Sequence, residues 1–265
     1  MKRAALLLAV GALLFSGCES TQSASSRKEA EGADLVKQTK LDIESENRHV
    51  DIVEKAVLTD QYGTAVAVVL KNNSQQGLAD APIQINVKDA KGKSVFKNNL
   101  AGTETSLLQV PVIKPGSEVY WVHDQVIPTG GKPASVEVTV GEAKELPADL
   151  PEIQVSPPAL NEDPVSGIEV TGNVVNKSDV EQTNLTLYAI ARKGGKIVAA
   201  GRGVIPKLKN DGTPASYHIF FIGNPTGADI TVIAPKVAPP CAPVSWCNPR
   251  ASSSQRKASI RAPVS

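Results

Sequence analysis

A chain of 265 residues with 28 Lys and Arg against 27 Asp and Glu carries a formal net charge of +1. No global field therefore draws it to nucleic acid, and a polyanion would need a local basic patch. Hydrophobic residues make up 41% but aromatics only 4%, with one Met, so any cores are built from Val, Ile, Leu and Ala; 19 Pro and 20 Gly favour short strands and turns over long helices.

The chain opens with Lys2 and Arg3, then an apolar stretch from Ala4 to Phe15. That stretch is too short to span a bilayer, which takes about 20 residues, and has the form of a secretory signal. It closes with Leu13-Leu14-Phe15-Ser16-Gly17-Cys18. This order (basic, apolar, small, cysteine) resembles the lipobox of bacterial lipoproteins, with Phe15 where Leu is usual. The resemblance implies that residues 1–17 are a signal peptide and that Cys18 is lipidated, anchoring the chain to a membrane of the cell envelope. Because the anchor of such proteins carries at least two acyl chains, it would be persistent. Glu19, rather than Asp, follows the cysteine, which in a Gram-negative source favours the outer membrane.

Residues 18–48 are polar, with Ser20 to Ser26 followed by mixed charge up to Glu46. They read as a flexible tether, with a short helix from Glu29 to Lys40 as the alternative.

An internal repeat occupies the centre of the chain. Val66, Val68 and Leu70 alternate along a strand that stops at Asn72-Asn73-Ser74; Ile168, Val170 and Val174 do the same before Asn176-Lys177-Ser178, with Gly172 at the place of Val68. Ile83 to Lys88 alternates strictly and is matched by Leu185 to Ala189, which predicts half-buried strands with one apolar face. Lys91-Gly92-Lys93 and Lys193-Gly194-Gly195-Lys196 read as hairpin turns leading to strands at Val95-Phe96 and Ile197-Val198. Each copy continues with an apolar stretch (Val110–Ile113; Val204–Leu208), a turn (Lys114-Pro115-Gly116; Asn210-Asp211-Gly212) and another strand (Val119–Val122; Tyr217–Ile222). The last strands are Val136–Val140 and Ile230–Ile233. Short strands at regular spacing with turns between them predict an all-β fold of two tandem β-sandwiches, residues 49–144 and 152–236.

The run Leu185-Thr186-Leu187-Tyr188, with Gly195 and Val198 after it and Val174-Val175-Asn176 before it, resembles the FxLYD-type domain of bacterial envelope proteins. The resemblance covers about 152–236 and, more weakly, 49–143; it departs at Leu185 and Ala189. It implies immunoglobulin-like sandwiches in an exported lipoprotein and carries no functional residue. Residues 145–151, with Pro147 and Pro151, form a proline linker that restricts the tilt between the modules.

Residues 237–265 are rich in Pro and Ser and carry Arg250, Arg256, Lys257 and Arg261 without an acidic residue, which predicts a disordered tail able to touch a polyanionic surface. Cys241 and Cys247 are an even pair in an exported chain and read as a disulfide; two free thiols are the alternative. No His or acidic residue stands near either, which argues against a metal.

His123-Asp124 has the make-up of a base with an orienting carboxylate, and Ser117 is near in sequence; no Gly-x-Ser-x-Gly elbow accompanies them. His49 and His218 stand alone, the latter on the outward face of a strand. Trp121 reads as core, while Trp246 in the tail is the aromatic better placed for a contact. The Asn-x-Ser/Thr triplets at Asn72, Asn176 and Asn184 read as turn chemistry. No catalytic residue, metal or cofactor is assigned. The expectation is a non-enzymatic lipid-anchored envelope protein that offers two sandwiches to an envelope protein partner, with no nucleic acid involved. The alternatives are a glycan or small-ligand binding lipoprotein, or an envelope hydrolase using His123 and Asp124.

Overall fold

The computed structural model describes residues 41–235 apart from 101, 148, 164 and 166. The proposed lipidation site Cys18, the Cys241–Cys247 pair, Trp246 and the basic residues Arg250, Arg256, Lys257 and Arg261 lie outside them. Within the described residues both copies of the repeat belong to one compact unit, and the fold is all-β.

The first copy runs β1 (Val50–Thr59), β2 (Thr64–Asn72), β3 (Leu78–Asp89), β4 (Ser94–Lys97), a short 3-10 turn (Thr105–Leu107), β5 (Gln109–Ile113), β6 (Glu118–His123), β7 (Pro133–Val140) and β8 (Lys144–Glu145). One sheet has the order β1-β2-β6, and the other is built around β3, which pairs with β4, β5, β7 and β8. The second copy runs β9 (Ile153–Val155), β10 (Ala159–Asp163), β11 (Gly167–Asn176), β12 (Gln182–Lys193), β13 (Lys196–Leu208), β14 (Ala215–Phe220), β15 (Ile222–Gly223) and β16 (Asp229–Ile233). Its sheets are β10-β11-β14 with β9 added to β11, and β15-β13-β12-β16. Each copy is thus a two-sheet sandwich.

The registers of β2 with β6 and of β11 with β14 agree with the repeat, whereas along β3 and β12 the match moves by two residues, so that Ile83 corresponds to Leu187 rather than Leu185. Val68 faces Trp121 on β6, and its counterpart Gly172 faces Tyr217 on β14. A Cβ on Gly172 would overlap the Tyr217 hydroxyl, so glycine is what lets the tyrosine lie across its strand. The two strand-ending turns share one chemistry. Buried Asn72 donates through Nδ2 to the carbonyls of Gln76 (2.7 Å) and Ile113 (3.2 Å), while its Oδ1 accepts from Ser74 N and Oγ at 2.9 and 2.8 Å. Buried Asn176 repeats this with Val180 (2.8 Å) and Ser178 N and Oγ (3.0 and 2.6 Å). The predicted turn glycines Gly92, Gly116, Gly194, Gly195 and Gly212 all have positive φ, the conformation that glycine enters without steric penalty.

Two expectations are corrected, and the copies differ in one further respect. The stretches Ile197-Val198 and Val204–Leu208 are one strand, β13. In the first copy they stay apart as β4 and β5, because residues 98–108 are inserted between them. Strand β1 is continuous, whereas its counterpart is split into β9 and β10 around Pro157-Pro158. Finally, β2 and the middle of β12 are buried on both faces. On β2, Val66, Val68 and Leu70 share a face with Trp121; Ala65, Ala67 and Val69 share the opposite face with Tyr120. That second face turns to the second copy, since the Arg192 guanidinium sits over the Tyr120 ring at 5.9 Å. Tyr188, Ile190, Ile197, Ala200 and Ile222 join the hydrophobic cluster of the first copy, while Leu185, Leu187, Ala189 and Ala191 fill the core of the second. The modules are therefore joined through a shared apolar layer, a stronger restraint than the proline linker alone.

Candidate functional site

Strand parity decides what His123 and Asp124 do. Neighbours on a strand point to opposite faces. His123, opposite Val66, enters the first core, where its ring meets Phe96 (5.2 Å) and Trp121 (5.9 Å) edge-on. Its Nδ1 accepts from Gln125 N at 3.3 Å. Burial, helped by the Arg202 charge, lowers its pKa to about 4, so it is neutral at ordinary pH. Asp124 turns the other way, toward Arg202 at 3.7 Å. Ser117 lies just before the opposite end of β6 and donates to the Lys114 carbonyl at 2.9 Å. The structure does not bring these three side chains together. His218 is exposed on the outer face of β14, as its sequence position suggests, and meets Glu169 at 3.2 Å. Trp121 is fully buried.

What the structure does assemble is a polar cluster at the module junction that the sequence did not point to. Arg202 on β13 stands directly opposite Tyr188 on β12, and its side chain is only 5% exposed. It reaches into the inserted segment of the first copy, pairing with Glu104 and donating to Ser106 Oγ at 2.6 Å. That segment is held at its root by Asn98. The Asn98 amide donates to Ile83 O (3.0 Å) and Leu107 O (2.8 Å), and its Oδ1 accepts from Ile85 N (2.9 Å). Trp121 Nε1 adds a bond to Ser106 O at 3.0 Å.

Electrostatics in this cluster are uneven. Burial raises the Asp124 carboxyl above its usual range, with Arg202 opposing. For Glu104, burial works upward, but hydrogen bonds from Ser106 and Arg202 hold the carboxyl below its usual value. Burial also raises the Tyr188 phenol. The Tyr188 hydroxyl, Asp124 Oδ1 and Arg202 Nε are buried with no hydrogen-bond partner among the described residues.

Two hollows flank Glu104. One, of about 410 Å³, lies between the modules and is lined by Asn184, Thr186 and Tyr188 of β12 together with Asp80, Ser106 and Gln109. The other, of about 800 Å³, belongs to the first module; Val95, Phe96, Leu107 and His123 line it, with Leu100 and Ile127 at its rim. Leu100 and Ile127 are 63% and 76% exposed. Among the described residues no group of three or more His, Cys, Asp or Glu is placed to hold a metal ion, and no helix is long and apolar enough to cross a membrane.

The sequence carried one usable signal for this site. Leu185, Leu187 and Ala189 occupy one face of their strand while Tyr188 and Ile190 occupy the other, and apolar residues on both faces mark a strand covered on both sides. Arg202 and Glu104 gave no such signal, because their meeting depends on how the modules dock. A scan against protein-family models and a search of curated proteins find no match to this chain.

Proposed function

We propose that this chain is a non-enzymatic, lipid-anchored protein of a bacterial cell envelope, related in type to the FxLYD lipoproteins, whose fused sandwiches dock a protein partner. The observation that carries the docking reading is the larger hollow. Leu100 and Ile127 hold large apolar side chains in solvent beside Val95, Phe96 and Leu107, an arrangement suited to receiving an apolar anchor residue from another protein. Leu100 belongs to the inserted segment, which interrupts the β-ladder of the first copy and has no counterpart in the second. The separation of His123, Asp124 and Ser117 supports binding over hydrolysis. The Lys2–Cys18 run supports the anchor.

A photocrosslinking residue at position 100 or 127, in cells, tests the docking reading. A discrete protein adduct that disappears with Leu100→Asp or Ile127→Asp is expected. Absence of any adduct at both positions overturns it. Separately, Cys18→Ala is expected to move the protein from the membrane fraction to the soluble one, and retention in the membrane would refute the anchor.

A further inference from the structure

The two copies treat one edge of the sandwich differently. In the first, β7 lies along β3, and its C-terminal end is met by the residues just before β1: Asn47 N donates to Val140 O at 2.9 Å, and Glu46 bridges to Gly141. The strand equivalent to β7 is β16, which lies along β12. Val50 stands opposite Asn72 as Ile153 stands opposite Asn176, so the residues equivalent to Glu46 and Asn47 are Asp149 and Leu150. They follow a stretch that is held elsewhere: Lys144 and Glu145 pair with Ala79 and Leu78 on β3, and Leu146 N donates to Gly77 O at 2.9 Å. Among the described residues no backbone hydrogen bond joins 149–152 to β16, and β16 ends its sheet with no strand beyond it.

An open strand edge offers unpaired N–H and C=O groups to another chain, and proteins guard such edges with charge, proline or a bulge. The outer strand β10 of the same copy is guarded in this way, being exposed along its whole length and carrying Asn161-Glu162-Asp163. β16 is not guarded. Its pairing with β12 runs without a bulge, and its one charge, Asp229, stands at its start. Ile230-Thr231-Val232-Ile233 are β-branched residues in succession, the types that suit a strand best. Ile230 and Val232 pack on the core of the second copy and Ile233 on that of the first, while Thr231 is exposed. The strand is thus held firmly on its faces and left open along its edge.

We propose that β16 is a strand-addition surface whose occupant is β16 of a second copy of this chain, the two strands running antiparallel about Thr231. The strand is self-complementary in that register. A two-fold axis at Thr231 sets each Thr231 opposite its mate, Ile230 opposite Val232 and Asp229 opposite Ile233. Paired residues of a ladder share a face, so Ile230 and Val232 carry the apolar layer of one copy into the next, and no like charges stand opposite each other. The two four-stranded sheets then become one continuous sheet. The same operation on β10, about Asn161, would set Leu160 against Glu162 and Ala159 against Asp163, apolar side chains against acids. One strand pair is a small interface, so the association is reversible. It is independent of protein docking at Leu100 and Ile127, and its test uses other residues.

Sedimentation equilibrium of the full chain in mild detergent is expected to show a mass that rises with concentration toward twice that of the monomer. Thr231→Lys and Thr231→Glu each set like charges face to face on the axis, and each is expected to stay monomeric. Their urea midpoints should lie near that of the parent, because the Thr231 side chain is exposed. Mixed together, the two variants should associate again, since position 231 of one then meets the opposite charge on the other. His218→Ala, on another strand, should associate like the parent. In cells, a photocrosslinking residue at position 231 should give an adduct of twice the chain's mass that contains this chain alone. A parent that stays monomeric at every concentration overturns the proposal. So does a Thr231→Lys variant that associates as well as the parent, a mixture of the two variants that stays monomeric, or a crosslink from position 231 to a different protein or to residues 237–265 of the same chain.

Discussion

Asp80 and Asn184 stand at equivalent positions of the two copies and share one left-handed backbone conformation, with φ of 50° and 51°. Each leaves a gap in the ladder of a long strand without shifting its register: pairing skips from Ala79 to Ala81 on β3 and from Thr183 to Leu185 on β12. The residues skipped on the partner strands are Pro111 and Pro206. Proline has no N–H to give to a ladder, so the strand opposite is released from ideal pairing there. Asp and Asn are the non-glycine side chains that best tolerate this backbone region. Asn184→Gly is therefore expected to change stability by less than about 1 kcal/mol, whereas Asn184→Val, β-branched at positive φ, is expected to lose about 1–2 kcal/mol or more. Urea unfolding checks both, and equal midpoints for the two variants would show that the backbone is not held left-handed.

The paired turns make a second prediction. The amides of Asn72 and Asn176 are buried and act at once as donors and acceptors. Asn176→Ala should remove about 2–3 kcal/mol, the worth of two or three buried hydrogen bonds. Asn176→Asp keeps the acceptor, loses the donor to Val180 O and buries a charge, so near neutral pH it should cost more than the alanine change. In acid, where the new carboxyl is protonated and can donate again, the difference between the two variants should shrink. A difference in midpoints that stays constant with pH would contradict the geometry.

His123 sets a pH dependence whose sign is fixed. Its pKa is about 4 in the fold against 6.5 unperturbed. Above the unperturbed value the ring is neutral in both states and its contribution to stability is intact. As pH falls through 6.5 toward about 4, the unfolded chain takes up a proton that the folded core refuses, and stability drains away. The upper limit of that loss is about 3 kcal/mol. The second copy supplies the control, because Ile219 occupies the equivalent place opposite Val170. His123→Ile should flatten the acid loss between these pH values while leaving the fold intact at neutral pH. Unchanged acid sensitivity in the variant would assign the effect to other groups.

Much of the fold could be read from local pattern, and most of the junction could not. Alternation at Ile83–Lys88, the strand-stopping asparagines and the turn glycines act within a few residues, so they are visible in the sequence. Gly172 was visibly out of place at the position of Val68, but its reason is Tyr217, a residue on another strand. Val66, Val68 and Leu70 form an alternating set that by itself predicts one buried face; both faces are buried, since the small Ala65 and Ala67 let the second module approach closely. Glu104, Asp124 and Arg202 come from the inserted segment, the residue just after β6, and β13. Their meeting depends on docking geometry that no short window of sequence encodes.

That meeting leads to the last prediction. Arg202 is the cation shared by Glu104 and Asp124 across the fused modules, and it is nearly buried. Removing one partner of a buried ionic cluster costs more than the cluster contributes in net terms, because the remaining charges are left without compensation. Arg202→Met, close in length and apolar, should destabilise the protein by about 1–3 kcal/mol at neutral pH, less than for a fully buried pair because Glu104 is 47% exposed and water compensates part of its charge. Adding Glu104→Gln and Asp124→Asn to that variant removes the stranded carboxylates and should recover most of the loss. Recovery would mean that the arginine serves mainly to neutralise two acids brought together by module docking. If the triple variant is as unstable as Arg202→Met alone, the arginine contributes instead through packing of its stem and its bond to Ser106, and the cluster is not an electrostatic lock. Chemical denaturation of the three proteins, compared at equal ionic strength, separates the two cases.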